Sequence, residues 1–329
     1  MENGLKKNLP YSKTVATLFL LSFLAGILTV LMGELLLPIS AALLASLLFF
    51  EKKTYKPLTL SILTVVISVD TLIAVLDGVY VPFRALAITA VASIMFFCFV
   101  KSVTKGECAF YLTAVILLLL SFNLIFALFT DIGEYSFDAL GEYLSGVRVQ
   151  IREEIVSLVS DISVVGEGGT VESVISSEAV TQVFDLAVAM IPAIFVIFSF
   201  LLAGLSLKFF SALMLRLSER EVSVITWRFT TTKVVAVFYA VLMLVSVFVT
   251  PDGGLFPSLV YNLYYIFMAV YAYIGFSCVH ALMSLHRNHI FMFFLLLLAV
   301  IVFSSFSLTL LSIFGAFLMF SRDAAAPKK

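Results

Sequence analysis

The feature that most constrains this chain is its succession of long apolar runs, each close to the length of one membrane crossing. A bilayer core of about 30 Å takes about 20 apolar residues as a helix, and the sequence offers nine such runs. The first block, 14–50, would be ~55 Å long as one helix at ~1.5 Å per residue. Gly33-Glu34 and Pro38 interrupt it, so it reads as a hairpin of two short spans, 14–32 and 36–50. Further runs follow at 57–76, 80–100, 108–130, 186–208, 233–250, 258–284 and 290–320. The last is either one tilted helix or two short arms broken at Ser304-Ser305, where hydroxyls can bond freed backbone groups. Composition agrees. Of 329 residues 62% are hydrophobic and 12% charged, about half the ~25% charge of a soluble domain. The expected fold is an all-α, polytopic transmembrane bundle of nine or ten spans with an extracytoplasmic helical insert, in contact with the lipid bilayer.

Lys and Arg favour cytoplasmic loops, and the loops here alternate in sign. Lys6, Lys7 and Lys13 precede the first span; Lys52, Lys53 and Lys56 follow the second; Lys101 and Lys105 follow the fourth. Lys208, Arg216, Arg220, Arg228 and Lys233 follow the sixth. These are expected inside, with the N-terminus, in a bacterial cytoplasmic membrane. Glu34, Asp77 and Asp252 fall on the opposite loops, as does a long insert, 131–185, with eleven Asp or Glu against Arg148 and Arg152. Lys328 and Lys329 favour an inside C-terminus, which ten spans would satisfy. The first apolar run has no small-residue cleavage site, so it reads as an uncleaved anchor. Three segments result: membrane helices 1–130, the acidic outer insert 131–185, and membrane helices 186–329.

In the insert, Phe137, Leu140, Leu144, Val147, Ile151, Ile155, Leu158 and Ile162 recur every three or four residues, the stripe of an amphipathic helix. Gly166-Glu167-Gly168-Gly169 ends it. Thr170 stands where a second helix could be capped, starting near 171 and running through Asp185 and Pro192 into the membrane. Such a helical hairpin either covers the outer ends of the spans or serves as a lid or docking surface for an envelope partner.

Several chemistries lack their signatures. A net charge of -1 and the absence of a long basic run argue against nucleic acid. There is no G-x-x-x-x-G-K-[ST], H-E-x-x-H or G-x-S-x-G. Cys98, Cys108 and Cys278 are scattered, and His280, His286 and His289 cluster at one helix end, as interfacial histidines do. No enzyme activity, cofactor or metal is expected.

Polar residues inside spans are costly and mark candidate sites. Asp70 lies on the third span with Arg84 across the outer turn, so an Asp-Arg pair is geometrically open; Asp77-Gly78 reads as a turn. On the eighth span Asn262, Tyr265, Tyr273, Ser277 and His280 form one polar stripe, with Ala269 between the tyrosines. The stripe either bonds helices together or lines a substrate cavity. Asn123 on the fifth span and Ser61, Thr64, Ser68 and Thr71 on the third could face the same interior. Small residues such as Ala41-x-x-x-Ala45 permit close helix approach, within the bundle or to a partner subunit.

These segments include Leu35-Leu36-Leu37 running into Pro38, Met190-Ile191-Pro192, and Trp227-Arg228-Phe229 after the basic loop. With residues 262–284 and the closing IFGAFLMFSR, they resemble the YybS-like family of bacterial membrane proteins, an uncharacterised group placed with the substrate-binding components of energy-coupling transporters. The chain departs from that pattern at Thr230, where proline is expected, and between Gly315 and Arg322, where an acidic residue is expected. Related substrate components carry an alanine docking motif on the first span; here Ala41 and Ala45 are on the second. The resemblance implies a small-molecule binding or transport-related subunit without its own nucleotide site, partnered by an energy-coupling membrane subunit and an ATPase. The alternative is a membrane scaffold engaging an envelope or division partner through the outer insert.

Overall fold

Proline and glycine punctuate the apolar runs into helices. The computed structural model describes residues 11–51, 56–76, 83–101, 103, 105–160, 163–165, 171–173, 183–185, 187–217, 231–249, 255–283, 288–302 and 304–322. Lys6, Lys7, Lys52, Lys53, Asp77-Gly78, Gly166–Gly169 with Thr170, Arg220, Trp227-Arg228-Phe229, Asp252, His286, Lys328 and Lys329, on which expectations above rest, lie outside the described residues. The helices are α1 (Tyr11–Met32), α2 (Leu37–Glu51), α3 (Lys56–Leu76), α4 (Phe83–Val100), α5 (Lys105–Ile132), α6 (Phe137–Ser160), α7 (Ile191–Leu217), α8 (Lys233–Phe248), α9 (Leu255–Met283), α10 (His289–Val302) and α11 (Ser304–Arg322). Pro38, Pro57, Pro192 and Pro257 all sit in the first turn of their helix, where the missing N–H costs no helical bond.

Among the described residues, six stretches are long and apolar enough to cross a membrane, within α1, α3, α4, α5, α7 and α9. The stretches 34–50 and 233–248 are apolar but shorter, and α10 and α11 form a pair bent by 117° at their junction. The sequence-derived hairpin at 14–50 is present. Gly33 ends α1 at φ 87°, ψ -167°, a conformation accessible essentially to glycine alone, and one turn of 3-10 helix, Glu34–Leu36, leads into α2.

The insert departs from expectation in two places. Residues 163–165 and 171–173 pair as an antiparallel two-stranded ribbon, β1 (Ser163–Val165) and β2 (Val171–Ser173), with Val164 opposite Glu172. Residues 171–173 are thus strand where a helix start was expected near 171, a short ribbon within an otherwise helical architecture. Two β-branched triplets flanking five residues, three of them glycine, favour a hairpin over helix. The sixth span starts at Ile191 rather than 186, because Pro192 fits only a first turn.

Contacts divide the chain into two compact units, each described separately. The first comprises residues 1–134 and 198–227, and the second 135–197 and 228–329. Most of the insert thus groups with the C-terminal helices, and α7 contributes to both units.

In the first unit α2 packs against α1 and α4, burying Leu37, Ala41, Ala42, Leu44, Ala45 and Leu47. α3 buries Ile62, Val66, Asp70 and Ala74 along one stripe. Ser61, Thr64, Ser68 and Thr71 are exposed on its other faces rather than turned inward. Their placement is tolerable because Thr64 and Ser68 donate to the carbonyls of Leu60 and Thr64, at 2.8 and 2.7 Å, leaving little unmet polarity towards lipid.

In the second unit α9 packs chiefly on α11, and α8 on both. Their core holds Ala236, Tyr239, Met268, Tyr271, Ile274, Ala316 and Met319. Two glycines set the crossing distance. A Cβ on Gly275 would lie 2.1 Å from the Leu311 carbonyl oxygen, and one on Gly315 would lie 2.0 Å from that of Tyr271. Both neighbours are main chain, so the helices touch backbone to backbone, as small residues permit within a bilayer.

Candidate functional site

The end of the first unit that holds the α1–α2 turn gathers its polar side chains. Behind that turn, Thr29 and Ser40 hydroxyls both donate to the Ala25 carbonyl, at 2.9 and 2.8 Å, and contact each other. This ties α1 to α2 and fixes the Gly33 turn, so Glu34 has a defined position at its tip.

Asp70 and Arg84 do not form the simple pair left open by the sequence. The Asp70 carboxylate, 5% exposed, accepts the Ala85 N–H at 2.7 Å. Ala85 is the third residue of α4, so Asp70 caps that helix from a neighbouring one. A carboxylate there meets an unsatisfied donor and the positive end of the helix dipole. Arg84 instead turns towards the α1–α2 corner. Its Nη1 donates to the Val30 carbonyl, and its Nε stands 4.0 Å from Glu34 Oε1. On α5, Asn123 Nδ2 donates to the same Glu34 oxygen at 3.4 Å.

Glu34, Arg84 and Asn123 rim a small, half-open cleft whose apolar walls come from Leu37, Phe83, Ala87, Ile116, Leu119 and Leu120. Both charged side chains keep about a third of their surface exposed, 33% for Arg84 and 32% for Glu34. A closed charge-assisted bond runs at roughly 2.7–2.9 Å. The Glu34–Arg84 pair is therefore open, with capacity on both partners. The arrangement can hold a small polar group between opposite charges and shelter an apolar portion against the walls.

The family model described as "predicted membrane protein (DUF2232)" matches residues 14–317. The chain belongs to this family. No curated protein and no solved structure matches it. For this DUF2232 protein the membrane assignment thus rests on both the family and the helices.

The remaining sequence-derived candidates belong elsewhere. Asn262 is engaged with the main chain on both sides of Pro192: its Nδ2 donates to Ala189 O and Ser258 O, each at 2.7 Å, and its Oδ1 accepts Ala193 N–H at 2.8 Å. Ala193 N–H to Ala189 O is the bond a continuous helix would make; the amide of Asn262 stands between the two groups and satisfies both. Tyr265 lies half-buried edge-on to Tyr264, ring centroids 5.2 Å apart, beside the second unit's core. Tyr273 and Ser277 are half-buried further along α9. His280 is exposed and edge-on to Phe293. Ala41 and Ala45 are fully buried by the chain's own helices, which leaves no surface there for a partner subunit. Among the described residues no group of three or more His, Cys, Asp and Glu could hold a metal ion.

Sequence reasoning named Asn123 and Asp70 but gave Glu34 only a loop and Arg84 only a possible partner in Asp70. The available signal was a pair of opposite charges at two successive turns on one side of the helix count. In the second unit it passed over Tyr264 and Tyr271, which with Tyr239 make a stacked column at 6.2 and 4.8 Å. Tyr239 and Ser312 hydroxyls meet at 2.7 Å, and Thr231 and Tyr271 at 3.0 Å. The seven-residue repeat of Tyr264 and Tyr271, in phase with Gly275, was the legible clue.

Proposed function

We propose that the protein is a multi-pass protein of a bacterial cytoplasmic membrane, N-terminus inside, that binds a small polar solute in the outer cleft of its first unit. In this reading it is a binding or transport-related subunit, it is not an enzyme, and any ATP-driven step belongs to a partner ATPase. Ten crossings accommodate the charge pattern, with α2 and α8 as short spans and α10 and α11, bent by 117° at their junction, as two arms. The resemblance to the YybS-like family supports the same reading. The observation that carries it is the open Glu34–Arg84 pair with Asn123 at the mouth of an apolar-walled cleft. Paired charge at a helix-bundle end is costly unless it has a role, and an ion pair built for stability alone would be expected to close.

The test is purification of the full chain from native membranes under mild conditions, with mass spectrometry of co-purifying small molecules. A retained solute that is lost in Asn123→Ala, with unchanged thermal stability, is the expected result; a ligand-free wild type, or retention unaffected by Arg84→Ala and Asn123→Ala, would sink it. Tyr265, Tyr273 and Ser277 remain a second candidate wall. If they act so, Tyr265→Phe and Tyr273→Phe lower ligand retention rather than the melting temperature. The orientation has its own check: external labelling modifies a cysteine placed at Ser160 and spares one at Ser218.

A second reading, a scaffold engaging an envelope partner, is favoured by α6. Leu144, Ile151 and Leu158 on its apolar stripe are 45%, 42% and 66% exposed. Deleting the insert would then abolish function while changes in the cleft would not.

A further inference from the structure

Resting on the proposed binding role of the cleft, we propose that its ligand is a zwitterion: an ammonium and an anionic group carried by one small molecule or one lipid headgroup.

The argument starts from charge. The rim presents one guanidinium, Arg84, and one carboxylate, Glu34, 4.0 Å apart. Asp70, the third charge in this region, is buried and already committed to the Ala85 N–H at the start of α4. Glu34 and Arg84 offset each other at the rim itself, which is strongly dipolar, while the Asp70 carboxylate acts on Arg84 from behind it. A ligand of single charge would pair with one side chain and leave the other uncompensated beside an apolar wall, which is costly at the edge of a bilayer. A zwitterion satisfies both at once, its anionic group on Arg84 and its ammonium on Glu34. The separation of the two side chains is comparable to that of the charged groups in an α-amino acid or an ethanolamine phosphate.

The remaining geometry fits the same ligand. Arg84 Nη1 is held by the Val30 carbonyl, which anchors the guanidinium while leaving its other edge for an anion. Asn123 Nδ2 reaches Glu34 only at 3.4 Å; its amide oxygen can accept from an ammonium. Phe83 and Leu120, both half-buried, supply apolar area for the rest of the molecule. A second ion pair, Arg148–Asp185, is closed at 2.8 Å although its side chains are more exposed, 51% and 37%. Exposure alone therefore does not hold the cleft pair apart.

Amino acids and phosphatidylethanolamine share this chemistry, and the experiment separates them. The full chain is reconstituted in nanodiscs of phosphatidylglycerol, whose headgroup carries no ammonium, and titrated with L-leucine, isocaproate and isoamylamine. These three share an apolar body and carry both charges, the anion alone and the cation alone. A parallel arm replaces part of the lipid by phosphatidylethanolamine and reads lipid retention by native mass spectrometry. Expected is saturable binding of L-leucine, or selective retention of phosphatidylethanolamine, with isocaproate and isoamylamine at least about tenfold weaker than L-leucine wherever it binds. Glu34→Gln, which keeps size and shape, should bring L-leucine down to the level of isocaproate or abolish phosphatidylethanolamine selectivity. Arg84→Lys, which keeps the charge, should retain the preference for the zwitterion. Isocaproate or isoamylamine binding as tightly as L-leucine, in an Arg84-dependent or Glu34-dependent way, would overturn the zwitterion while leaving the cleft as the binding site. If neither L-leucine nor phosphatidylethanolamine is held, the zwitterion proposal fails; a wild type that also yields no native solute removes the binding role with it.

Discussion

The two units use polar residues in opposite ways. In the second, polarity is spent internally: Asn262 bridges the interrupted helical bond at Pro192, and the hydroxyls of Tyr239 and Tyr271 are taken up by Ser312 and Thr231. Its helices meet at two glycines with no room for a methyl group. In the first unit Asp70 is likewise committed to a helix start, but Glu34 and Arg84 are held apart and partly exposed. A polar group inside a bilayer bundle therefore signals function less by its chemistry than by whether its hydrogen-bonding capacity is already used. On that criterion the eighth span, richest in polar residues by sequence, is mostly architecture at Asn262, and the poorer α1–α2 turn is the better site.

The comparison can be broken most directly at the glycines. Gly275→Ala or Gly315→Ala must push α9 from α11 against main chain, which costs about 1–3 kcal/mol or more for an overpacked contact. A clear drop in the detergent melting temperature is expected for each. The double variant should lose less than the sum, because both changes strain one crossing. A melting temperature equal to wild type would show that the crossing is looser than two backbones in contact.

Asn262→Leu comes next. It leaves the Ala189 carbonyl and the Ala193 N–H without the amide that serves them, an expected loss of roughly 1–3 kcal/mol, with faster proteolysis or hydrogen exchange at the start of α7. If ligand retention fell while stability held, Asn262 would belong to a site after all, and the contrast between the units would weaken.

Tyr239→Phe should be milder. It removes one interhelical hydroxyl contact, worth about 0.6–1.5 kcal/mol in membrane proteins, and Ser312 keeps its bond to the Thr309 carbonyl at 2.7 Å. A thermal shift measurement should rank it below Asn262→Leu.

Smallest in stability is Glu34→Gln. An ion pair at 4.0 Å with a third of each side chain exposed contributes little, about 0–1 kcal/mol even before allowing for screening. Its melting temperature should match wild type within about a degree or two while ligand retention falls. A large loss of stability would place Glu34 with the architectural residues and erase the distinction between the two units.

How much of this was legible depended on range along the chain. Residue order alone determined the apolar runs, the hairpin at Gly33-Glu34 and the amphipathic α6, and left a break near Ser304 as one of two readings, because helix period, proline position and glycine conformation are local. The β1–β2 ribbon was legible in principle, in valine-bearing triplets around glycines, and was lost to a helix-start reading of Thr170. The start of α7 at Ile191 was equally available from Pro192. What only the tertiary structure decided was partnership. Asp70 serves the N–H groups that open α4 rather than closing a side-chain pair with Arg84, Asn262 serves a carbonyl and an N–H more than sixty residues away, and Ala41 and Ala45 are covered by the chain's own helices. Glu34, Arg84 and Asn123 meet only because three separate helix ends converge. A side chain's local pattern fixes the face it occupies, whereas the group that satisfies it is set by how helices distant in sequence pack, and the use or reserve of polar capacity follows from that packing.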